Sequence, residues 1–332
     1  MISIKSASLK NKNVLLRVDW NVPISDDGKI LDDFRIRQTL PTFKYLLKSG
    51  VDSIRVITHL GRPKGKGFEK KYSLAPIIKR FEHLFGAGNS QIEIWENIRF
   101  DQREEENAKS LVKELTAEMD IFVSDGLAVA HRKHASVYGV ARELPSYAGL
   151  LLEREVERLE YLRIHPRQPF VVLIGGAKYE DKAQVIDALL SKAKHILIGG
   201  AVANEIIKSQ NYEKYLKRNV IFPLDGKPEF AGMLDIGDKT IQRFEEILRE
   251  AKTVFWAGAM GKFEDYRYAK GTEKIAKFLA NSRASTFVAG GDTVEKIHQM
   301  RLADKFTFLS TGGSASLQLI AGEKLPGLEV LN

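Results

Sequence analysis

Apolar residues in this chain gather in short runs of strand length, and between the runs they recur at helical spacing. The first half holds four such runs, at 14–21 (VLLRVDWN), 54–65 (IRVITHLGRPKG), 92–100 (IEIWENIRF) and 121–132 (IFVSDGLAVAHR). Six more follow in the second half, at 171–176 (VVLIGG), 195–200 (HILIGG), 219–225 (NVIFPLD), 253–258 (TVFWAG), 285–291 (STFVAGG) and 306–313 (FTFLSTGG). Between them, residues 35–49 place Ile36, Leu40, Phe43 and Leu47 at helical spacing and stop at Gly50. Ser73 is positioned to cap a helix presenting Leu74, Ile77, Phe81 and Leu84, and an acidic first turn at 101–106 predicts another helix through Leu111 and Leu115. Strand runs alternating with helical segments build parallel sheets from βαβ units, so the expected fold is α/β with two doubly wound, Rossmann-like sheets. The charged amphipathic stretch 150–161 (LLLEREVERLEY), followed by the Pro166 and Pro169 loop, marks the junction: a first domain over 1–149, a linker helix over 150–165 and a second domain over 166–316.

Composition narrows the function classes. The chain has 332 residues, 44% hydrophobic and 28% charged, enough for two cores. Its net charge of +8 suits nucleic acid, an acidic surface or small anions, but the basic residues are dispersed, and the densest run, 62–71, is broken by glycine with no aromatic ladder. Nucleic acid is therefore not an expected partner. There are no cysteines, which removes disulfides, thiol nucleophiles and thiolate metal sites. No apolar stretch approaches the ~20 residues of a membrane span or the core of a signal peptide, so a soluble, cytoplasmic protein without a membrane partner is expected.

Arginine or histidine recurs where the first-half runs end. Ligands bind outside the carboxyl ends of the strands in open α/β sheets, so these endings would bring their cations together. Asp19, Asn21, Arg35, His59, Arg62, Arg99 and Arg132 are the candidates. Any one alone reads more readily as a surface ion pair; the shared location reverses that and makes the set an anion pocket, because guanidinium forks match carboxylate and phosphate. His131 and His134 lack a carboxylate partner at metal-ligand spacing.

The second-half runs mostly end in paired glycines, among them Gly199 and Gly200, Gly258, Gly290 and Gly291, and Gly313. Glycine at a strand-to-helix turn lets backbone N–H groups approach phosphate at a helix N-terminus, which indicates a nucleotide or polyphosphate domain. Neither a Walker-type GxxxxGK[ST] nor a strand leading into GxGxxG is present. Lys178 and Lys182 lie one helical turn apart, where both ammonium groups reach one phosphate chain. Asp292 and Thr293 open a predicted helix. The carboxylate suits Mg2+ held largely through phosphates, the hydroxyl suits phosphate oxygens, and Asp292 reads equally as an N-cap. Glu264 suits ribose hydroxyls, or is simply an exposed acid.

With these residues in view, the chain resembles the phosphoglycerate kinases. RVDWN, FRIRQTLPT, THLGRPKG, KYSLAP, ENIRF, AHRKHAS, GGAKYEDK, LDIGDKT, AGGDT, LADKF, STGG and KLPGLEVLN occur in that family's order from about residue 13 to the carboxyl terminus. The resemblance implies a monomer whose first domain binds 3-phosphoglycerate or 1,3-bisphosphoglycerate and whose second binds ADP or ATP with Mg2+. It implies a hinge closure that brings them together for in-line transfer without a general base, and a tail, 317–332, packed back on the first domain. Asp19, Asn21, Arg35, His59, Arg62, Arg99 and Arg132 match triose positions. Lys178, Lys182, Glu264, Asp292 and Thr293 match nucleotide and metal positions, and Gly291 and Gly313 flank the transferred group. Arg35 and Lys178 would neutralise that group's oxygens, with Lys182 on the nucleotide phosphates. Two departures stand out. Ala257 and Ala259 replace an asparagine and a proline, and residues 124–129 differ from the family's loop at Ser124, Gly126, Leu127, Ala128 and Val129. Losing one hydrogen bond to a charged group at Ala257 would cost about 1.5–3 kcal/mol. Rival readings are a same-fold kinase with another nucleotide or acid substrate, and a non-catalytic nucleotide-binding relative.

Overall fold

Five strands form a parallel sheet in the first of two units: β1 (Asn13–Val18), β2 (Ser53–Ile57), β3 (Ile92–Ile94), β4 (Ile121–Asp125) and β5 (Ser146–Ala148), in the order β3-β2-β1-β4-β5. The computed structural model describes residues 1–25, 27–177 and 179–331. Helices α1 (Phe34–Lys48), α2 (Ala75–Phe85), α3 (Lys109–Thr116) and α4 (Leu150–Ile164) accompany the strands, and the first unit extends to Arg158, inside α4. β4 is buried along its whole length and β1 from Val14 onward, which is why their sequences read as continuous apolar runs rather than alternating ones.

Trp20, directly after β1, anchors this end of the sheet. Its ring packs on Phe43 of α1 at 5.9 Å and Phe81 of α2 at 5.0 Å, and its indole N–H donates to the Thr39 hydroxyl at 3.1 Å. Its backbone N–H donates to the Thr58 hydroxyl at 3.0 Å. The residues on either side, Asp19 and Asn21, are thereby fixed at the strand's carboxyl end.

The second unit, Leu159–Glu323, has a six-stranded parallel sheet built from β6 (Phe170–Ile174), β7 (His195–Ile198) and β8 (Val220–Ile221), with β11 (Thr253–Ala257), β12 (Ser285–Ala289) and β13 (Phe308–Leu309). A separate antiparallel ribbon pairs β9 (Gly226–Lys227) with β10 (Asp235–Ile236). The sheet order is β13-β12-β11-β6-β7-β8, which counted within the unit reads 3-2-1-4-5-6 from its β8 edge, the doubly wound dinucleotide-fold order. Helices α5 (Glu180–Leu189), α6 (Gly200–Lys208), α7 (Asn211–Leu216), α8 (Asp238–Arg249), α9 (Lys270–Ala280), α10 (Gly291–Gln299) and α11 (Gly313–Ala321) complete it. Of the 317–332 tail, residues 317–321 finish α11 in the second unit, whereas the chain from Lys324, including α12 (Pro326–Glu329), belongs to the first.

Two element expectations shift. The helix predicted from Asp101 begins only at Lys109: Asn107 adopts a φ of 53°, and the Asp101 carboxylate accepts the Arg103 N–H at 2.9 Å, capping a single turn at Gln102–Glu104. Ser73 lies one residue before the N-cap of α2, which is Leu74. The Leu74 N–H is satisfied from a distance by the Glu96 carboxylate at 2.7 Å, a partner that local sequence does not reveal.

Candidate functional site

The carboxyl ends of β1 to β4 collect the cations of the first unit. Arg35, on the first turn of α1, pairs with Asp19, whose second oxygen accepts the Asn21 N–H at 3.0 Å. The Asn21 side-chain oxygen accepts the Gly61 N–H at 2.8 Å, and the Gly61 carbonyl accepts from Arg99 at 2.8 Å. These contacts tie the β1, β2 and β3 endings into one chain of hydrogen bonds. Gly61 is required in that place: its φ is +62°, and a Cβ would stand 2.4 Å from the Tyr72 ring.

His59 sits buried at the centre. Burial first, then the positive fields of Arg17, Arg99, Arg35 and Arg132, hold its imidazole well below the ordinary 6.5, so it is neutral at physiological pH. Arg17 Nη2 lies 3.3 Å from His59 Nδ1; a guanidinium has no acceptor, so Nδ1 accepts and the proton resides on Nε2. Arg99 is likewise pushed down, to about 10, by burial and then by Arg132 and Arg17. Arg99 thus feels Arg17 and Arg132, and all four arginines bear on one neutral histidine, a field that favours an anion. Arg62 is exposed one residue beyond Gly61 and makes no ion pair among the described residues.

Beneath this cluster lies a buried network. Arg17, 1% exposed, donates from Nε to the Ser136 hydroxyl at 2.9 Å, and Ser136 donates to the fully buried Glu104 carboxylate at 2.6 Å. Glu104 also accepts the Ser136 N–H and lies 3.6 Å from His134. The two histidines considered for a metal thus have other roles: His134 faces Glu104, and His131 is held neutral at about 4 by burial and Arg132.

In the second unit, the strand-end glycines pack backbone against backbone. A Cβ at Gly175 would meet the Ala259 carbonyl at 2.2 Å, one at Gly258 the Gly175 carbonyl at 2.3 Å, and one at Gly200 the Ala259 carbonyl at 2.8 Å. Gly175, Gly176 and Gly200 donate their N–H groups to Ala257, Ala259 and Met260 respectively, at 2.9, 2.7 and 3.0 Å. These contacts join the turns after β6, β7 and β11, and the buried Gly199 precedes α6 as its N-cap. Trp256 stiffens the last of these turns by donating from its indole to the Gly258 carbonyl at 2.8 Å.

Beyond that knot, Gly290 adopts a φ of 101° and leads into α10 at Gly291, and Gly313, with a φ of 54°, opens α11 and faces open space. Thr293 is fully buried, and its hydroxyl has no hydrogen-bond partner among the described residues. Asp292 lies exposed on the same first turn. Crowding around its carboxyl and the Glu264 charge push its pKa up, and Lys182 opposes them, which places the three groups in one electrostatic neighbourhood. A carboxylate whose proton affinity is raised by a neighbouring acid's charge attracts a cation, and hard oxygen donors suit Mg2+. No cluster of three metal-ligating side chains exists among the described residues. Lys178 lies outside the described residues.

A model of the phosphoglycerate kinase family matches residues 4–220 and 215–323. The chain belongs to this family. Phosphoglycerate kinases from Coprothermobacter proteolyticus and Roseiflexus sp. are 37% and 38% identical to it, each aligned over 99% of this chain and 98% of the relative. The phosphoglycerate kinase of Pyrococcus horikoshii superposes with a TM-score of 0.85 at 29% identity, covering 100% of this chain and 98% of that one. That of Coxiella burnetii gives 0.81 at 30%, covering 99% and 98%. The Coprothermobacter alignment spans 388 residues against 332 here, so the relative's surplus falls opposite gaps in this chain. The two stretches matched to the family meet at 215–220, just before the short connection through β9.

Within a phosphoglycerate kinase frame, the divergent positions are structural. Ala257 is fully buried at the end of β11, and both it and Ala259 act through their carbonyls in the glycine knot. The divergent loop 124–129 presents Leu127 and Val129 to the core. Sequence reasoning did not single out Arg17, Gly61, Gly175 or Gly176. A cation inside an apolar run was the available signal for Arg17; its side-chain partners His59 and Ser136, 42 and 119 residues away, were not.

Proposed function

We propose that the arginine cluster around His59 holds 3-phosphoglycerate or 1,3-bisphosphoglycerate, and that the glycine-lined strand ends of the second unit hold ADP or ATP. The chain is a phosphotransferase that moves a phosphoryl group reversibly between 1,3-bisphosphoglycerate and ADP, forming 3-phosphoglycerate and ATP. The observation that best supports the substrate assignment is the field of four arginines about a histidine kept neutral by burial and by them, because it favours a multiply charged acid over a neutral molecule.

The chemistry needs no general base, since a carboxylate or phosphate oxygen is already nucleophilic at neutral pH; positioning and charge stabilisation remain. His59 offers its Nε2–H as a fixed donor, Arg99 and Arg132 bind the acid's charge, and Asp19 orients Arg35 toward the transferred group. Lys182 steadies the nucleotide phosphates, and the Thr293 hydroxyl and the α10 N-terminal N–H groups donate to their oxygens. Asp292, with Glu264 beside it, would hold Mg2+, which when bound neutralises phosphate charge. Transfer requires both half-sites on one phosphoryl group, so turnover includes a state in which the units bring them together. A coupled assay of purified protein with ATP, Mg2+ and 3-phosphoglycerate tests this directly. Saturable, magnesium-dependent turnover is expected, and its absence would overturn the reading.

A further inference from the structure

A cavity of about 590 Å³ opens between α8 and α9 of the second unit. Its floor is apolar, made by Leu248 and Ala251, which are buried, and by one face of the half-buried Phe278. Arg249, Lys274, Lys277 and Arg283 line it, with Glu245 as the one acid. Among the described residues none of these five charged side chains has an ion-pair or hydrogen-bond partner. Four cations against one acid around one apolar hollow give it a concentrated positive field. The volume lies in the ~300–1,000 Å³ range of small-ligand sites.

The cavity is remote from the nucleotide turns. Ala251 and Arg283 each precede their strand by two residues, β11 starting at Thr253 and β12 at Ser285, whereas Gly258 and Gly290 follow the opposite ends. A five-residue strand separates them by roughly 16 Å.

We propose that this cavity is a second ligand site, which takes a small amphiphilic anion: a flat apolar body against Phe278 and Leu248, and a phosphate or carboxylate among the four cations. Strong anions with no apolar part leave the floor wet, and a nucleic-acid strand needs a track of stacking platforms where this hollow has one aromatic ring. The full chain, saturated with MgATP so that the nucleotide turns are filled, is titrated calorimetrically with 1-naphthyl phosphate. One equivalent is expected to bind, with affinity falling steeply with salt and at least tenfold in the exposed-site double variant Arg249→Glu, Arg283→Glu. That variant keeps the wild-type KM for ATP, and inorganic phosphate binds at least tenfold more weakly than the probe. Equal probe affinity in the variant, displacement of the probe by ATP, or equal binding of inorganic phosphate overturns the proposal. Saturable binding of a polyglutamate peptide or an oligonucleotide in place of the probe does so too.

Discussion

At the scale of single residues, charge placement separates binding from turnover. Arg35 is already paired with Asp19, so in the proposed role it would act without reorganisation when charge moves between oxygens. Arg35→Ala is expected to lower kcat by about 10³-fold, the low end for an arginine at a transferring phosphoryl group, with nucleotide affinity little changed. Steady-state kinetics decides, and equal losses in both parameters would contradict the role. Thr293 allows the opposite experiment. Its hydroxyl is buried and unpartnered, so Thr293→Val removes a polar atom that contributes nothing to the fold, and thermal stability should hold or rise. If that hydroxyl serves a charged phosphate, the KM for ATP rises by about tenfold or more, from the ~1.5–3 kcal/mol of such a bond. An unchanged KM would remove Thr293 from the site.

At the scale of elements, the N-terminus of α4 shows what the sequence hides. Asp125, at the end of β4, accepts the Leu151 and Leu152 N–H groups at 2.9 and 3.1 Å, and Gly149 is packed so tightly that a Cβ would meet its carboxylate at 2.3 Å. Burial pushes this carboxyl up to about 7 from 3.8. The folded state therefore keeps a proton that the unfolded chain releases near pH 4, so this group's contribution to stability falls as pH rises from about 4 to 7 and is flat above. Asp125→Asn keeps an acceptor for both amides and removes the titration. It should gain a few kcal/mol over wild type at pH 8 and nothing at pH 4, as urea midpoints at the two pH values will show. A gain independent of pH would refute the linkage.

Such a long-range cap was not readable in advance, nor were the Glu96 cap on Leu74 or the interruption at Asn107, because each depends on partners or dihedrals set by tertiary contact. What was readable follows from local rules. Buried parallel strands must be apolar throughout, and glycines must stand where carbonyls approach within 2.2–2.8 Å, so apolar runs announced both sheets and their GG endings announced the tight turns of the second. Charged strand-end residues such as His59 and Arg99 could be grouped by topology alone, whereas the Arg17, Ser136 and Glu104 network beneath them required contacts across 119 and 32 residues of chain.

At the scale of the whole molecule, the returning carboxyl-terminal segment connects stability to the acid-binding half-site. Leu325 and Leu331 are buried in the first unit, Leu331 accepts the Ile2 N–H at 2.7 Å, and Gly327 donates its N–H to the Ala130 carbonyl at 2.8 Å. Ala130 stands two residues before Arg132, so the tail braces the segment that places that arginine. A Cβ at Gly327 would lie 2.8 Å from the Val137 side chain and 2.9 Å from the Ala130 Cα, and backbone cannot yield as a flexible side chain does. Gly327→Ala should therefore destabilise the first unit by about 1–3 kcal/mol, the usual cost of overpacking, and raise the KM for 3-phosphoglycerate more than that for ATP. Because each unit has its own sheet and core, scanning calorimetry should show the first unit's transition shift while the second unit's nucleotide-stabilised transition stays in place. If both transitions move together, or if the KM for ATP rises as much as that for the acid, the tail acts on the chain as a whole and its bracing of Arg132 is refuted.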